Sequence, residues 1–263
     1  MTDGTYEIAV VRHGTAPTTR RDVYLNHHLY GEDDGPSPTD YYLWVVWNEH
    51  RTVVVDTGFS EAAAAKRGKQ ILVAPAEAYT RLGVDTAAPH TLVVTHCHYD
   101  HLGNLDLFPA ATIVMSQAER DFWFSPVAER FLIGFYAESA DLATLRCADS
   151  EGRVRTFHGH TEVAPGIDLF EVGGHTPGQA MVLVSTADGP VLLASDAVHF
   201  RRELDEDMPF TAVTDLPGLY RGLDLVRAYR DEGTRVVTGH DPAELDGLRR
   251  MDGPLGEHIG FLG

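Results

Sequence analysis

Short β-branched runs, bounded by polar and turn-forming residues, recur along the whole chain and predict strands. These strands are expected at residues 5–12, 41–47, 51–58, 91–95, 111–115, 167–172, 180–185, 191–195 and 234–239. Capped or amphipathic stretches between them predict helices at 60–68, 75–83 and 215–233, a helix that starts at Ser116, and partial helix over 126–150. The polar residues 13–40, rich in glycine, proline, aspartate and histidine, indicate a long loop.

The order of these elements is mixed, because meander-like strand pairs are interleaved with helices. Such an order favours layers of helix and sheet, with the sheets buried between the helices. The chain has 263 residues, of which 43% are hydrophobic, and this is enough for one large core or two small ones. We expect an α+β fold that forms a single domain over residues 1–263, with the 13–40 loop as a candidate cover of the functional site.

The chain is strongly acidic, with a net charge of −18. A surface of this charge repels nucleic acid and anionic membrane, so we expect neither as a partner. The same charge makes a strongly anionic substrate a weaker expectation, unless a metal offsets the charge locally. A homodimer is compatible with the sequence, which does not fix the oligomeric state.

The cysteine content and the N-terminus indicate an intracellular setting. The two cysteines, Cys97 and Cys147, form no disulfide framework, and there is no C-x-x-C motif. The N-terminal residues lack the basic start and apolar core of a signal peptide. No apolar run approaches 18 residues. We therefore expect a cytoplasmic protein.

Metal-capable side chains follow the ends of four β-rich runs. They are His96, His98, Asp100 and His101 after the first run, then His175, Asp196 and His240 after three later ones. Loops at strand ends are where a rigid scaffold usually carries function. Imidazoles and carboxylates that converge from several such loops are the ligands of zinc-type sites. The sequence therefore predicts a metal site built by these seven residues.

The spacing within "HCHYDH" favours two ions rather than one. His96 and His98 are two residues apart behind a strand, so they share one side of an extended segment. Asp100 and His101 are adjacent and diverge, so we expect them to serve a second ion. His175 can complete the first site, His240 the second, and Asp196 can bridge them. Such a pair leaves room for a shared water, which is typical of catalytic zinc.

Four motifs, "THCHYDH", "GGHTPG", "LLASDA" and "TGHD", resemble those of the metallo-β-lactamase-fold hydrolases. In that family a strand and a turn usually precede the metal loop, and the stretch "VVVDTG" fits this pattern. The resemblance extends over about residues 41–241 and implies a four-layer αβ/βα sandwich with the metals at one edge. It implies that His96, His98 and His175 bind one zinc, that Asp100, His101 and His240 bind the other, and that Asp196 bridges.

Comparison with the branches of this superfamily narrows the implied activity. True β-lactamases generally lack the bridging aspartate, and flavodiiron oxygen reductases usually have glutamate where His98 stands. RNA-processing members need a basic surface, which this chain lacks. Glyoxalase II, a thioesterase, shares all seven ligand types but usually has a basic C-terminal segment. The best match is the N-acyl-homoserine lactonase branch, which the interval from Asp196 to His240 and the 13–40 loop also fit.

One position departs from that branch. The lactonases usually have a tyrosine three residues after the bridging aspartate, where it contacts the substrate carbonyl, and this chain has His199 there. A histidine can donate a similar hydrogen bond or approach the metal, so His199 is a candidate catalytic residue. Related members hydrolyse other lactones, esters and activated aromatic ethers. Those activities stay as alternatives. Three further alternatives are thioester hydrolysis, iron-dependent oxidoreduction on the same fold, and metal sensing without turnover.

The implied chemistry is hydrolysis by a hydroxide that two Zn²⁺ ions generate near neutral pH, with Fe, Mn or Co as other possible metals. Asp100 is expected both to bind metal and to shuttle a proton to the leaving alkoxide. The expected substrate is a small apolar or aromatic lactone or ester, and opening of an acyl-homoserine lactone would be quorum quenching. Candidate pocket residues are Tyr24, Leu25, Leu29, Phe122, Trp123, Phe124, Phe131 and Phe135.

Several neighbours of the predicted ligands have other interpretations. Asp56 is expected to accept hydrogen bonds rather than to bind metal. Cys97 and Tyr99 alternate with the ligands and are expected to face away from the metals. The sequence context predicts ordinary loop positions for His27, His28, His158 and His160.

Overall fold

A computed structural model describes residues 4–263, in which the strands form two sheets. The strands are β1 (Glu7–Ala16), β2 (Thr39–Trp47), β3 (Thr52–Val55), β4 (Gln70–Ile71), β5 (Thr91–Val93), β6 (Thr112–Ser116), β7 (Val154–Phe157), β8 (His160–Ala164), β9 (Ile167–Glu171), β10 (Ala180–Thr186), β11 (Gly189–Ser195), β12 (Arg235–Thr238), β13 (Arg249–Arg250) and β14 (Ile259–Leu262). The helices are α1 (Arg20–Val23), α2 (Glu61–Arg67), α3 (Pro75–Arg81), α4 (Tyr99–Leu102), α5 (Gln117–Trp123), α6 (Phe131–Gly134), α7 (Ser139–Ser150), α8 (Arg201–Glu206) and α9 (Leu216–Asp231). Single turns of 3₁₀ helix lie at His27–Leu29, Leu105–Leu107, Pro126–Glu129 and Pro242–Leu245.

The larger sheet has the strand order β13-β14-β1-β2-β3-β5-β6-β7, and β4 pairs with the end of β1. Its strands β3, β5, β6 and β7 run parallel, so their carboxyl ends lie at one edge. The smaller sheet has the order β12-β11-β10-β9-β8, and its β11 and β12 are parallel. Parallel neighbours direct the loops that follow them to the same edge, which is where ligands usually bind.

The two sheets pack face to face through alternate residues of their strands. Ile8, Val10 and Trp44 of the larger sheet share a buried apolar cluster with Val182 and Leu193 of the smaller one. This alternation follows from the two-residue period of a strand, which sends successive side chains to opposite faces. The core between the sheets therefore fixes the position of one sheet edge against the other.

Helices cover the outer face of each sheet. Ala9 and Val11, the residues that alternate with the inner ones, pack with Tyr79 of α3, Trp123 of α5 and Leu145 of α7. A separate cluster packs α8 and α9 on the smaller sheet; its members include Leu192, Leu204 and Leu223. The result is a helix–sheet–sheet–helix arrangement, and the predicted four-layer sandwich is confirmed.

The local helix signals in the sequence act as expected. The Ser60 hydroxyl accepts a hydrogen bond from the Ala63 amide at 3.2 Å, and Gly68 ends α2 with a φ of 65°. Pro75 occupies the first turn of α3, where its missing amide proton costs nothing. Across residues 4–263 the helices are too short or too polar for any of them to cross a membrane.

The predicted loop at 13–40 is too long at both ends. β1 continues to Ala16 and β2 begins at Thr39, so the residues at both ends of the predicted loop belong to paired strands. The register between β1 and β2 shifts at the Arg12/Gly14 step, and this bulge interrupts the apolar pattern that signals a strand. The remaining segment carries α1 and a 3₁₀ turn, so it is more ordered than its composition indicates.

Five strands are absent from the sequence prediction: β4, β7, β8, β13 and β14. Two of them, β7 and β8, are neighbours in the chain. Both are short and partly exposed, so they lack a continuous apolar run. His160, interpreted above as a loop residue, begins β8, and its Nε2 lies 2.7 Å from Asp168 on β9. The interpretation of His160 is therefore wrong, because pairing with β9 makes an edge strand from polar residues.

Asp141 on α7 gives a test of the folded state that does not involve the site. Its Oδ2 atom is buried without a hydrogen-bond partner among residues 4–263. Burial, followed by repulsion from Glu138 and Asp106, raises the pKa of Asp141 from 3.8 to about 7. The folded state therefore binds a proton that the unfolded state releases, and stability falls as the pH rises from 3.8 towards 7.

We expect Asp141→Asn to stabilise the protein by about 1–2 kcal/mol at pH 8, part of the full linkage energy, because the side chain is partly exposed. The gain should vanish below about pH 4, where the carboxyl is protonated in both states. Urea unfolding at pH 4 and pH 8 measures this difference, with the exposed Asp188 replaced as a control. An equal effect of Asp141→Asn at both pH values would contradict the assignment.

Candidate metal centre

The seven predicted ligands meet where the edges of the two sheets come together. His96 and His98 follow β5 of the larger sheet, and Asp100 and His101 lie on the short helix α4 behind them. The smaller sheet supplies the other three residues from the loops after β9, β11 and β12; they are His175, Asp196 and His240. The site is therefore assembled from both sheets, as the strand-end pattern predicts.

The donor atoms form two groups with Asp196 between them. One group consists of His96, His98, His175 and Asp196, and the other of Asp100, His101 and His240; within each, the atoms lie within 4.8 Å of one another. The Asp196 carboxylate lies 3.3 Å from His175 Nε2 and 3.2 Å from His240 Nε2. It also lies 3.2 Å from His101 Nε2. This is the division into two sites that the spacing predicts, and the geometry allows a bridging role for Asp196.

The residues fit a pair of divalent ions. His96 Nε2, His101 Nε2 and Asp196 Oδ1 are buried and have no hydrogen-bond partner among residues 4–263. Buried polar atoms without a partner are costly, and a metal ion that accepts their lone pairs removes this cost. Imidazole nitrogens with a few carboxylate oxygens are the ligand set that zinc and related metals prefer.

The protonation of three of the histidines also suits metal binding. Burial lowers the pKa of His96 and His98 well below the ordinary value, and it lowers the pKa of His175 to about 3. These imidazoles are therefore neutral at pH 7, which is the form that binds a metal. Burial also acts to lower the pKa of His101, but the negative charges of Asp196 and Asp56 raise it well above the ordinary value.

Hydrogen bonds to the outer nitrogens hold three of the rings in place. Nδ1 of His175 lies 2.7 Å from the Ala212 carbonyl oxygen, and Nδ1 of His240 lies 2.7 Å from that of Asp40. Each carbonyl accepts a hydrogen bond from Nδ1–H, so Nε2 is the unprotonated nitrogen and its lone pair is left for a metal. The tautomer that can bind metal is thus selected by the backbone.

Asp56 performs the same function for His101. Its Oδ2 lies 2.7 Å from His101 Nδ1, and the carboxylate also accepts hydrogen bonds from the Thr95 amide and hydroxyl at 2.8 and 2.7 Å. Asp56 is completely buried and has a φ of 57°, which directs its side chain across to β5. The prediction that Asp56 is a hydrogen-bond acceptor is confirmed.

Glu119, which the sequence reasoning missed, ties together the two loops that carry the first group. This completely buried carboxylate accepts from the Cys97 amide at 2.9 Å and from Trp123 Nε1 at 2.7 Å. Its other oxygen accepts from the Thr176 hydroxyl at 2.7 Å and the Gly178 amide at 3.0 Å. Burial raises the pKa of Glu119, whereas these four donors oppose that shift.

By sequence alone, the position of Glu119 indicates a helix cap and gives no sign of a role in the site. Glu119 lies three residues after Ser116, whose hydroxyl accepts from the Ala118 and Glu119 amides at the start of α5. In sequence this spacing is typical of a capping box, in which the glutamate turns back to its own helix. Here the side chain turns instead to the loops of His98 and His175, and only the tertiary fold reveals this.

His199 lies behind Asp196 rather than on the cavity surface. Its ring is completely buried and stacks on Phe210 with a centroid distance of 3.7 Å. Its Nε2 lies 3.1 Å from Asp196 Oδ2 and its Nδ1 lies 3.3 Å from Glu203. The donor atoms of His199, Asp196 and His240 form a third group within 4.8 Å. The residue in the usual tyrosine position therefore contacts the predicted bridging ligand.

A cavity of about 930 Å³ opens over the metal centre. His98, Asp100, His175, Asp196 and His240 form its floor, and Thr18, Asp22 and Val23 of the 13–40 segment form part of its wall. Another wall is aromatic and includes Phe131, Phe135, Tyr136 and Tyr41.

Other predicted pocket residues have different positions. Phe122 and Trp123 line a smaller cavity of about 280 Å³ that also reaches His98 and His175. Tyr24, Leu25, Leu29 and Phe124 line neither cavity. Their assignment to the pocket is wrong, because residue type alone does not specify which face of a loop or helix borders a cavity.

Tyr99 also differs from its prediction. It forms part of the cavity wall, and its hydroxyl donates to the Tyr41 hydroxyl at 3.3 Å. The expectation that it faces away rests on strand alternation, which ends where α4 begins at Tyr99. Cys97 is buried and its amide is held by Glu119, as expected for a residue that faces away from the metals.

The fold and the convergent histidine and aspartate side chains define a class of protein. The family model described as the metallo-beta-lactamase superfamily matches residues 36–240. The chain belongs to this superfamily and is one of its metal-dependent hydrolases, as the sequence motifs predict.

Individual relatives refine this placement. The chain is similar to an N-acyl homoserine lactonase from a Bacillus species, with 25% identity over 223 residues, which is 79% of this chain and 84% of that protein. A crystal structure of a quorum-quenching N-acyl homoserine lactone lactonase superposes with a TM-score of 0.74 and 19% identity, covering 95% of this chain and 98% of that one. AidC, described as a dizinc quorum-quenching lactonase, superposes with a TM-score of 0.70 and 15% identity, covering 100% and 95%. The predicted resemblance to the lactonase-like branch is confirmed.

Proposed function

We propose that this protein is a dinuclear zinc hydrolase that opens a lactone or cleaves a related ester. The observation that carries the proposal is the convergence of seven metal-capable side chains, five of which form the floor of one cavity. Behind that floor, the Nε2 atoms of His96 and His101 are buried without a hydrogen-bond partner among residues 4–263. The relatives named as N-acyl homoserine lactonases support a lactone, and the dizinc neighbour supports zinc as the metal. Acyl-homoserine lactones, and hence quorum quenching, are one candidate substrate class.

Two zinc ions bound there would supply a Lewis acid for the carbonyl oxygen and a nucleophilic hydroxide near neutral pH. The chain itself contributes orientation and proton transfer. Asp100 borders the cavity, and its carboxylate lies 3.7 Å from His240 Nε2, so it can hold a proton beside the scissile bond. The Tyr41 hydroxyl accepts from Tyr99, which leaves its own proton for the substrate carbonyl. Tyr41 is thus our candidate for the role of the missing tyrosine.

His199 acts on Asp196 in this proposal rather than on the substrate. The stacked Phe210 lines the cavity, whereas His199 lies behind it. Because Asp196 is the central carboxylate, a fixed His199 keeps its two oxygens directed to the two groups of ligands. The donor atoms of His199, Asp196 and His240 lie within 4.8 Å of one another, so His199 could also help to hold a metal there.

The aromatic wall favours an acyl or aromatic group on the substrate. Phe131 is 81% exposed and Phe135 is 56% exposed, and each has one side on the cavity. Apolar rings at the mouth of a polar site are typical of small-molecule pockets, in which a few polar groups fix orientation. Binding of an acyl chain would bury part of this exposed apolar surface.

A hydrolysis panel tests the proposed function. Metal-free protein, prepared with a chelator, is reloaded with zinc and assayed by proton release with acyl-homoserine lactones of several chain lengths, aromatic lactones, aryl esters and a glutathione thioester. We expect lactone or ester turnover that requires about two zinc ions per chain by metal analysis. Turnover of the thioester alone would replace the proposal with a thioesterase, and bound iron with a redox signal would refute it.

Replacement of Asp100 by asparagine tests its proton transfer. We expect kcat for a lactone to fall about 10²- to 10⁴-fold, because the amide cannot accept and return a proton. Metal content is measured on the same sample, since Asp100 is also a predicted ligand. An Asp100→Asn protein that holds two metals and keeps full turnover would refute the shuttle. Asp106→Asn, outside the cavity wall, is the matched control.

A further inference from the structure

All lysines of this chain lie at the mouth of the cavity. The sequence contains two, Lys66 and Lys69, and both line the cavity together with Arg67. The chain as a whole carries a net charge of −18. Three cationic side chains within four residues of sequence therefore border one opening, and what each of them pairs with decides whether it is available to a ligand.

Lys66 and Arg67 are held by one carboxylate. Lys66 Nζ donates to Glu138 Oε2 at 2.7 Å, and Arg67 Nε and Nη2 donate to Glu138 Oε1 at 2.9 and 2.7 Å. Arg67 Nη2 also donates to the Phe135 carbonyl oxygen at 2.6 Å, and the guanidinium lies 4.0 Å from the centroid of the Tyr99 ring. These contacts engage the Nε and Nη2 donors of Arg67 and hold its guanidinium against the cavity wall.

Lys69 has no such partner. No carboxylate oxygen lies within 4.0 Å of its ammonium, and no acceptor in residues 4–263 takes a hydrogen bond from it. Nζ lies 5.4 Å from the centroid of the Tyr41 ring, on the cavity side. The side chain is half-buried, and burial lowers its pKa below the ordinary value. At 5.4 Å the Tyr41 ring makes a cation–π contact, which takes none of the three N–H hydrogen bonds of the ammonium. A ligand carboxylate would supply the acceptor that these donors lack.

The backbone directs Lys69 into the cavity. Gly68 takes a φ of 65° at the end of α2, and the Lys69 amide donates to the Ala64 carbonyl oxygen at 2.9 Å. The next residue begins β4, which pairs with β1. The base of the side chain is therefore fixed on both sides, as a binding residue requires.

The acidic groups that act on Lys69 through space already have partners. Asp22 accepts from the Thr19 amide and hydroxyl at 2.8 and 2.9 Å. Asp100 is a predicted metal ligand, so bound metal would neutralise its charge. Neither carboxylate satisfies the Lys69 ammonium.

We propose that Lys69 binds a carboxylate of the substrate, so that the preferred substrate is a lactone or ester whose acyl chain ends in an anionic group. This inference rests on the proposed function. The centroid of the Tyr41 ring lies 5.1 Å from that of the His240 ring and 5.4 Å from Lys69 Nζ. The carboxylate would thus bind one aromatic ring away from the metal centre. A single ammonium suits a carboxylate, whereas a phosphate favours a free guanidinium fork, which Arg67 does not offer.

A matched pair of lactones tests the proposal on zinc-loaded protein. The first is N-succinyl-homoserine lactone, whose acyl chain ends in a carboxylate, and the second is its methyl ester. The ring-opened forms of both serve as binding probes in calorimetry, where no turnover is needed. We expect the native protein to favour the free acid over the ester about tenfold in Kd and in kcat/KM. Lys69→Met should bring both ratios close to one.

Lys66→Met is the matched control, because it removes the same charge from a lysine that Glu138 already neutralises. This variant should keep the preference for the free acid. Equal binding of the two probes by the native protein would overturn the proposal, as would a Lys69→Met protein that retains the preference. Turnover is scored separately: binding preference without hydrolysis of either lactone would refute the proposed function and leave the carboxylate site standing. Hydrolysis without the preference would refute the carboxylate site and leave the proposed function standing.

Discussion

Replacement of Asp196 by asparagine is expected to lower kcat/KM for a lactone at least about a thousandfold. Asp196 is 3% exposed, and its carboxylate lies within 3.2 to 3.3 Å of His101, His175 and His240. The amide is neutral, and its NH₂ group would face imidazole nitrogens where a bridging oxygen is expected. The affinity for metal should therefore fall at both positions.

The measurement combines activity with metal content. We expect the Asp196→Asn protein to hold fewer than two zinc ions per chain after dialysis, while its folded structure by circular dichroism is kept. Asp188→Asn is the control, because Asp188 lies exposed in the hairpin between β10 and β11. An Asp196→Asn protein that retains two zinc ions and a tenth or more of the native activity would exclude the bridging role.

Glu119→Gln is expected to destabilise the metal-free protein by about 2–4 kcal/mol and to weaken zinc binding. The native carboxylate accepts four hydrogen bonds, two at each oxygen. A glutamine amide accepts only at its oxygen, so two buried donors would lose their acceptor and face an NH₂ group. The loops of His98 and His175 would then separate, because Glu119 joins them through Cys97 and Gly178.

Urea unfolding of the metal-free protein measures the first effect, and zinc competition with a chelator measures the second. Asp121→Asn is the control, since Asp121 lies two residues away on the same helix with its side chain 51% exposed. We expect the control to remain within about 0.5 kcal/mol of the native protein. A Glu119→Gln protein as stable as that control would show that the buried hydrogen bonds do not hold the loops.

The sequence carries most of the information about the metal centre because its ligands lie close to strand ends. His96 and His98 follow an apolar run, and parallel strands bring such ends to one edge. The division into two groups around Asp196 follows from the same spacing. Fold prediction succeeds for the same reason, since the inner strands of both sheets are continuous β-branched runs.

What the sequence does not reveal depends on contacts between distant segments. Glu119 and Tyr41 are ordinary in their local context, and only the packing of α5 and β2 against the site loops gives them a role. Lys69 is a surface residue by sequence, and its position at the cavity follows from the pairing of β4 with β1. Strand β8 and its His160 acquire their structure from a neighbour rather than from their own pattern.

The division of ligands between the two sheets has a thermodynamic consequence. His96 and His101 belong to the loop of the larger sheet, whereas Asp196 and His240 follow strands of the smaller one. Ions bound between them would act as a cross-link, because separation of the sheets would break their coordination. Each ion then adds RT ln(1 + [metal]/Kd) to the free energy of unfolding, about 2.7 kcal/mol at a hundredfold excess over Kd. The resistance of the protein to heat and proteolysis would therefore follow the free concentration of its metal, and this would couple the lifetime of the protein to metal supply.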